Sequence, residues 1–523
     1  MRKLFSILFI IPVLYSCSLA QVQKKYADLI TEESSRKHLT ILASNEFEGR
    51  GTGQEGGRKA ANYIADHFKS YGLKPIVDDN SFFQPVSLVR VGYSVKNLTL
   101  EQNDLIDGKD FYIQGDNNLA KFSSQEIVFI GYGLQHSNYD ELKAIDIKDK
   151  VVLIVNEGEP IDEHGNSLLT GQKSKSEWSS SRFKRIQELV KLQPKLVLAT
   201  SSQVADMLSR MKERPPAGRI SLDKGGSKRI VTQPIPIVNV TEQVANQMLS
   251  KVNSSLATFK DLANRGVQKP IIIKTTLEAE MGVTEDKLDD PNVLGLLEGS
   301  DLKHEIVVVC GHYDHDGILP DGTFFPGADD NGSGTVAVLE LARAFSTAKK
   351  DGKGPRRSIL FIGLAAEEKG LLGSKFYVEN PILPLENTVA CINIDMIGRI
   401  DNKHLNGDHN YIHAIGLDKL SSELQHVTEK ANKEFVQIKL DYSYNAPDEP
   451  MRLYYRSDHY NFAEKGIPSA FFFSGLHPHY HTPDDTVDKI DFPMMVKREK
   501  LIFYTTWEIA NRDKRLVVDS NKK

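Results

Sequence analysis

The chain has 523 residues, 40% apolar and 26% charged, with a formal net charge of −5 and a mean hydropathy of −0.34. This is ordinary globular composition, long enough for two or three domains and for a core that needs no disulfides. No Lys/Arg block stands out and aromatic residues make up only 8%, which excludes nucleic acid as an expected partner.

The first element reads as an export signal. Arg2 and Lys3 precede the apolar run Leu4 to Tyr15, which is too short to cross a bilayer as a structural helix. Two cleavage patterns compete within residues 1–20. Ser18-Leu19-Ala20 before Gln21 suits a signal peptidase, whereas Leu14-Tyr15-Ser16-Cys17 has the form of a lipobox, in which a lipidated Cys17 would be the membrane tether. Either way the protein is expected outside the cytoplasm: periplasmic, outer-membrane-anchored or secreted. No later segment reaches about 20 uninterrupted apolar residues.

Residues 24–75 have helical apolar spacing, with the glycine cluster GRGTGQEGG between two helices and a stop at Tyr71-Gly72. No Lys-Ser/Thr follows these glycines and no strand precedes them, so a helix-entry loop is expected, not a phosphate loop. From about residue 95 to 275 short strands dominate: EIVFIGYGL, KVVLIVNEG, KLVLATS and IPIVNVT, with helices at SRFKRIQELVKL and QVANQMLSKV. Clustered His, Asp and Glu are nearly absent there, which fits an inserted, non-catalytic domain.

After TEDKLDDPN a strand–helix alternation begins, the pattern of an α/β sheet. Four apolar runs stop abruptly at polar residues: EIVVVCGHYD at His312, SILFIGLAAEE at Glu367-Glu368, ACINID at Asp395, and SAFFFSGLHPHYH in a histidine cluster. Continuous apolar runs are the mark of buried parallel strands, and open α/β sheets bind ligands beyond the carboxyl ends of their strands. The four stops should therefore share one sheet edge. Cys310 and Cys391 lie inside two of these runs and are expected as buried free thiols, although a cross-strand disulfide is also open to them.

His binds zinc through a ring nitrogen and Asp or Glu through oxygen, and a pair of metals needs a bridging carboxylate. FPGADDNGSG offers Asp330 as that bridge in a glycine-flanked turn; neighbouring Asp329 is the other candidate, expected to shape the turn through its backbone. His315, His477 and His479 flank the candidate ligands and are expected at the surface or behind the ligands. Ser457-Asp458-His459 cannot form a serine triad from consecutive residues, and no G-x-S-x-G elbow is present. Packing or loop shaping is the expected role of His459.

The stretches NVLGLLEGS, GHYDHDG, PGADDNGSG, the AAEE pair, NIDMIG, SDHYNFAEKGIPSAFF and HYHTPDDT together resemble the co-catalytic di-zinc aminopeptidases. Glutamate carboxypeptidase, the transferrin receptor ectodomain and glutaminyl cyclases are relatives of that family. The resemblance covers about residue 290 to the C-terminus, FEGRGTGQEGGRKAANYIADHF is similar to the family's N-terminal helices, and FIGYGLQHSNYDELKAIDIKDKVVLIV to the start of its protease-associated domain. It implies a mostly parallel, mixed sheet flanked by helices, in segments 24–95 and 280–515, with a β-rich protease-associated domain inserted at 96–275. It also implies two Zn²⁺: Asp330 as bridge, His312 and Asp395 on one metal, Glu368 and His481 on the other. Asp314 would orient and polarise the His312 ring, and Glu367 would be the general base. Tyr480, read from the sequence alone, either hydrogen-bonds substrate or only packs. Two Zn²⁺ carry +4, and Asp330, Glu368, Asp395 and a bridging hydroxide carry −4, so Glu367 is free to move protons.

The expected function is an exopeptidase acting on peptides or proteins, an aminopeptidase first. A carboxypeptidase using Arg399, Arg452 or Arg456 as a carboxylate clamp, a one-zinc glutaminyl cyclase and a non-catalytic binding protein are the alternatives.

Overall fold

The computed structural model describes residues 21–520 apart from 115–118, 144, 214–217, 224–234 and 320. The export signal and Cys17 lie outside the described residues. Among the described residues no helix is long and apolar enough to cross a membrane. The chain divides into two compact units, one made of residues up to Leu88, Ser221–Asp223 and everything from Lys287, the other of Val89–Ile220 and Lys224–Asp286.

In the first unit the sheet runs in the order Lys439–Asp441, Tyr411–Ile415, Ser469–Phe473, Thr388–Ile394, Leu302–His312, Arg357–Leu364 and the end of Ile271–Leu297. Leu302–His312 is parallel to both Arg357–Leu364 and Thr388–Ile394, and Thr388–Ile394 is parallel to Ser469–Phe473. These four are the apolar runs expected to be parallel, and their carboxyl ends do share one edge. Val293–Leu297 and Tyr411–Ile415 pair antiparallel at the flanks, which makes the sheet mixed. Every residue of Arg357–Leu364, Thr388–Ile394 and Ser469–Phe473 is buried. Helices cover the sheet because their apolar faces need that cover. Glu55–Tyr71 closes at Gly72, whose φ of 86° suits a residue without Cβ. Phe492–Asn511 is capped by Asp491, whose side chain accepts from the Met494 amide.

Cys310 and Cys391 are buried free thiols with their sulfurs 3.7 Å apart, not a disulfide. Each sits in a parallel strand's apolar run, as its sequence context suggests.

The second unit is built on a run of parallel strands as well. Leu119–Phe129, Val151–Val155, Leu196–Thr200 and Ile237–Val240 are parallel neighbours in that order, flanked by antiparallel Phe111–Gln114 on one side and by the first part of Ile271–Leu297 on the other. Arg182–Lys191 and Glu242–Ser250 are helices, at the two stretches read as helical from the sequence.

Candidate metal centre

Each candidate ligand is delivered by the end of a parallel strand or by a turn beside one. His312 is the last residue of its strand, Asp395 the first after Ile394, and Glu367-Glu368 follow Leu364 by three residues. His481 sits in the turns after Phe473, and Asp330 in the turn leading to the helix Gly334–Lys350. All five are brought together.

Asp330 stands between two groups. Its Oδ1 is 3.6 Å from His312 Nε2, and that nitrogen is 3.4 Å from Asp395 Oδ1. Its Oδ2 is 3.2 Å from His481 Nε2, which is itself 3.2 Å from Glu368 Oε2. Two donors bonded to one ion at about 2.0–2.2 Å in tetrahedral geometry stand roughly 3.3–3.6 Å apart. The two oxygens of Asp330 thus each face one His/carboxylate pair at the spacing a shared metal requires.

The electrostatics point the same way. Asp330, Glu367, Glu368 and Asp395 are buried or nearly so, and among the described residues their ion pairs are with histidines only. Several carboxylates gathered out of water need cations. Burial raises the Asp330 carboxyl above its ordinary range, with Glu368 adding to the rise, and burial pushes Glu368 up to about 7. Burial also lifts Glu367 well above its ordinary range, with His312 pulling against it. Burial acts on Asp395 in the same sense, but His312 and the Ser457 hydroxyl outweigh it and leave that carboxyl lowered. Asp395 Oδ1 is buried without a hydrogen-bond partner. The set fits two zinc ions: imidazole nitrogen and carboxylate oxygen donors, an orphaned oxygen, and one carboxylate shared by both halves.

Glu367 Oε2 lies 3.9 Å from His312 Nε2, beside the cluster. Its backbone amide donates to Asp314 Oδ1 at 3.0 Å, and Asp314 Oδ2 accepts from Thr52 Oγ1 at 2.9 Å. His312 Nδ1 is closer to the Asp314 backbone carbonyl, at 3.1 Å, than to the Asp314 carboxylate, at 3.8 Å. Asp314 therefore touches both His312 and the Glu367 backbone. Tyr480 packs its ring 4.1 Å from the His481 ring, and its hydroxyl faces Arg456 Nη2 at 3.5 Å.

Several contacts were not read from the sequence. His315 is fully buried, with Nδ1 2.8 Å from Glu368 Oε1, and burial holds its ring down at about 4. His477 is buried too, with Nε2 3.5 Å from Asp329 Oδ2. Asp316 Oδ2 lies 3.1 Å from His481 Nδ1, and Ser457 Oγ donates to Asp395 Oδ2 at 2.7 Å. Both place a polar partner behind a candidate ligand, the arrangement that fixes ring and carboxylate orientation. Asp485 Oδ2 accepts from the amides of Asp329 and Asp330. Asp329 shapes the turn with its carboxylate as well, since Oδ1 accepts from the Gly398 amide at 2.6 Å. His459 stacks on Phe471, which is packing.

Arg50 is wholly buried and donates to four main-chain carbonyls within 2.8 Å: Leu42, Tyr313, Pro326 and Gly327. Of the three candidate clamp arginines, Arg399 is hydrogen-bonded to His479 at 2.9 Å and lies 3.6 Å from Asp485, and Arg452 lies over the Tyr455 ring.

Residues 292–506 match the model of peptidase family M28. Aminopeptidase YwaD of Bacillus subtilis is 31% identical over 247 residues, which cover 43% of this chain and 46% of that protein. A probable leucine aminopeptidase of Arthroderma otae is 29% identical over 298 residues, covering 52% and 78%. The chain thus spans less than half the length of the first of these relatives. Among solved structures, an aminopeptidase from Aneurinibacillus sp. strain AM-1 superposes with a TM-score of 0.55 at 20% identity, covering 95% of this chain and 98% of that one. BSAP, a zinc aminopeptidase from Bacillus subtilis, gives 0.53 at 19%, covering 94% and 98%. At these identities the two structures speak for the fold.

Proposed function

We propose, from the match of residues 292–506 to the model of peptidase family M28, that the protein is an exported di-zinc exopeptidase, an aminopeptidase, that hydrolyses peptide bonds. One observation carries the reading: the two oxygens of Asp330 face separate His/carboxylate pairs, His312 with Asp395 and His481 with Glu368. These five residues would hold two zinc ions, which when bound polarise a carbonyl and acidify a water molecule.

The remaining work falls to the chain. Glu367 is held by its backbone on Asp314 and is not needed as a ligand. It takes the proton of the attacking water on its carboxylate and delivers it to the leaving amine, a role worth about 10²–10⁴-fold in rate. Burial raises its proton affinity, which suits a group that must pick up a proton near neutral pH. Asp316 and Ser457 hold the His481 ring and the Asp395 carboxylate in place. Tyr480, beside His481, is positioned to touch substrate.

A one-zinc cyclase would leave half of the cluster without use. We read the second unit as a protease-associated insertion that restricts substrates. The deciding experiment compares peptides with free and acetylated N-termini. Cleavage of the free peptides alone is expected; equal cleavage of both would refute the aminopeptidase.

A further inference from the structure

One buried amide interrupts the apolar strand Thr388–Ile394. Asn393 has no exposed surface, and a side-chain amide out of water costs free energy unless its oxygen and nitrogen are both hydrogen-bonded. Successive residues of a strand face opposite ways, so Cys391, Asn393 and Asp395 follow one another on one face. The neighbouring parallel strand Leu302–His312 sets Cys310 beside Asn393 in register, two residues before His312. Candidate ligands and thiols therefore share a face, with the amide between them.

The contacts run in series. Ser457 Oγ is 2.7 Å from Asp395 Oδ2, and Asn393 Nδ2 is 2.7 Å from Ser457 Oγ. Cys310 Sγ is 3.4 Å from Asn393 Oδ1, and Cys391 Sγ is 3.7 Å from Cys310 Sγ. Each direction follows from the one before. An ionised carboxylate only accepts, so the Ser457 hydroxyl proton goes to Asp395. Ser457 Oγ must then accept, and the amide nitrogen of Asn393 is the donor that reaches it. This turns Asn393 Oδ1 toward Cys310, whose thiol proton it accepts. Ser457, Cys310 and Cys391 are wholly buried like Asn393, so bulk water does not compete for these bonds.

The series decides how Asp395 is presented. With Oδ2 taken by Ser457, Oδ1 is left buried without a hydrogen-bond partner, 3.4 Å from His312 Nε2. A serine hydroxyl rotates to suit its surroundings, and the Asn393 amide removes that freedom. We propose that Asn393 is a positioning residue of the metal centre. By donating to Ser457 it fixes the hydroxyl that occupies Asp395 Oδ2, and so turns Oδ1 to the ion that Asp395 would share with His312. The Cys310 thiol fixes the amide in turn. Asn393 touches neither ion nor substrate and acts only through Ser457. Partners placed behind a metal ligand are worth about 10–100-fold in metal affinity.

The proposal rests on the di-zinc reading, and zinc affinity tests it without an activity measurement. The full chain is loaded with zinc and titrated with a chelator of known affinity, with circular dichroism reporting that each variant is folded. Asn393→Leu, close in shape but without the amide, and Ser457→Ala should each weaken one of the two ions by about 10-fold or more. The double variant should bind no more weakly than Ser457→Ala alone. Losses that multiply in the double variant would mean that Asn393 acts by packing, and wild-type affinity in folded Asn393→Leu would equally overturn the proposal. Should Asn393→Leu fail to fold, Cys310→Ala and Cys310→Ser decide. Only the serine variant keeps a donor for Asn393 Oδ1 and should hold zinc more tightly; equal affinities would overturn the proposal. A wild-type chain that takes up no zinc would instead overturn the di-zinc reading itself.

Discussion

The two units of this chain use the same architectural device and finish it differently. In the first, parallel strands hand over to His312, Asp395, the Glu367-Glu368 pair and the turns around His481. In the second, Leu119–Phe129, Val151–Val155, Leu196–Thr200 and Ile237–Val240 hand over to Ile130, Asn156, Ser201 and Thr241. Those ends are used up locally: the Asn156 amide donates to the Thr200 carbonyl, Thr241 caps the next helix by accepting from the Val244 amide, and Glu157 accepts from Ser202. A row of parallel strand ends is thus an opening for chemistry, not chemistry itself. What fills it here is residue type plus one turn, the turn that sets Asp330 between two pairs.

The sharpest way to break this contrast is at that turn. Asp330→Ala removes the carboxylate common to both halves, so hydrolysis should fall to background and metal analysis should show the catalytic zinc lost. Next in size is Glu367→Gln, expected to cost about 10²–10⁴-fold in kcat while the metal content stays that of the wild type; a loss of metal would instead make Glu367 a ligand. Glu157→Gln, at the matching strand end of the second unit, should leave kcat within about twofold, and a larger fall would mean that the second unit does take part in the chemistry.

Stability should separate the units as well. Leu360 and Leu198 are both fully buried, one in each unit. Truncating either to Ala should cost its own unit about 2–5 kcal/mol, read by denaturant unfolding. The smallest expected effect is a difference in pH response. Burial holds His38 in the first unit down at about 3, below its ordinary 6.5, so the unfolded chain takes up the proton first and stability falls as pH drops from about 6.5 towards 3. Burial lifts Glu141 in the second unit to about 7, so the folded state binds the proton first and stability rises as pH falls from about 7 to 4.5. His38→Gln and Glu141→Gln should each flatten the slope of one unit only, as followed by melting temperature against pH.

Much of the first sheet was legible because burial on both faces leaves uninterrupted apolar runs, and their abrupt ends marked His312, Glu368 and Asp395. The order of the strands was not, since it depends on which runs pair across hundreds of residues. The supporting contacts were hidden for a similar reason. Nothing near Ser457 announces that its hydroxyl meets Asp395, 62 positions away. His315 and Asp316 were visible as neighbours of a ligand, yet the direction each side chain takes is decided by the turn after the strand. Asp485, within HYHTPDDT, supports the Asp330 turn across 155 positions.

The guanidinium of Arg50 has a practical corollary. It ties the carbonyls of Pro326 and Gly327, just ahead of Asp330, to Leu42 at the end of the helix Glu32–Leu42. Thr52, two residues on, holds the carboxylate that receives the Glu367 amide. The family-matched stretch begins only at residue 292. A fragment cut to that stretch would carry every ligand and still lack the tether that places the bridge. Residues 42–52 are as much a part of the candidate metal centre as its ligands, and a chain lacking them should lose the order of the Asp330 turn.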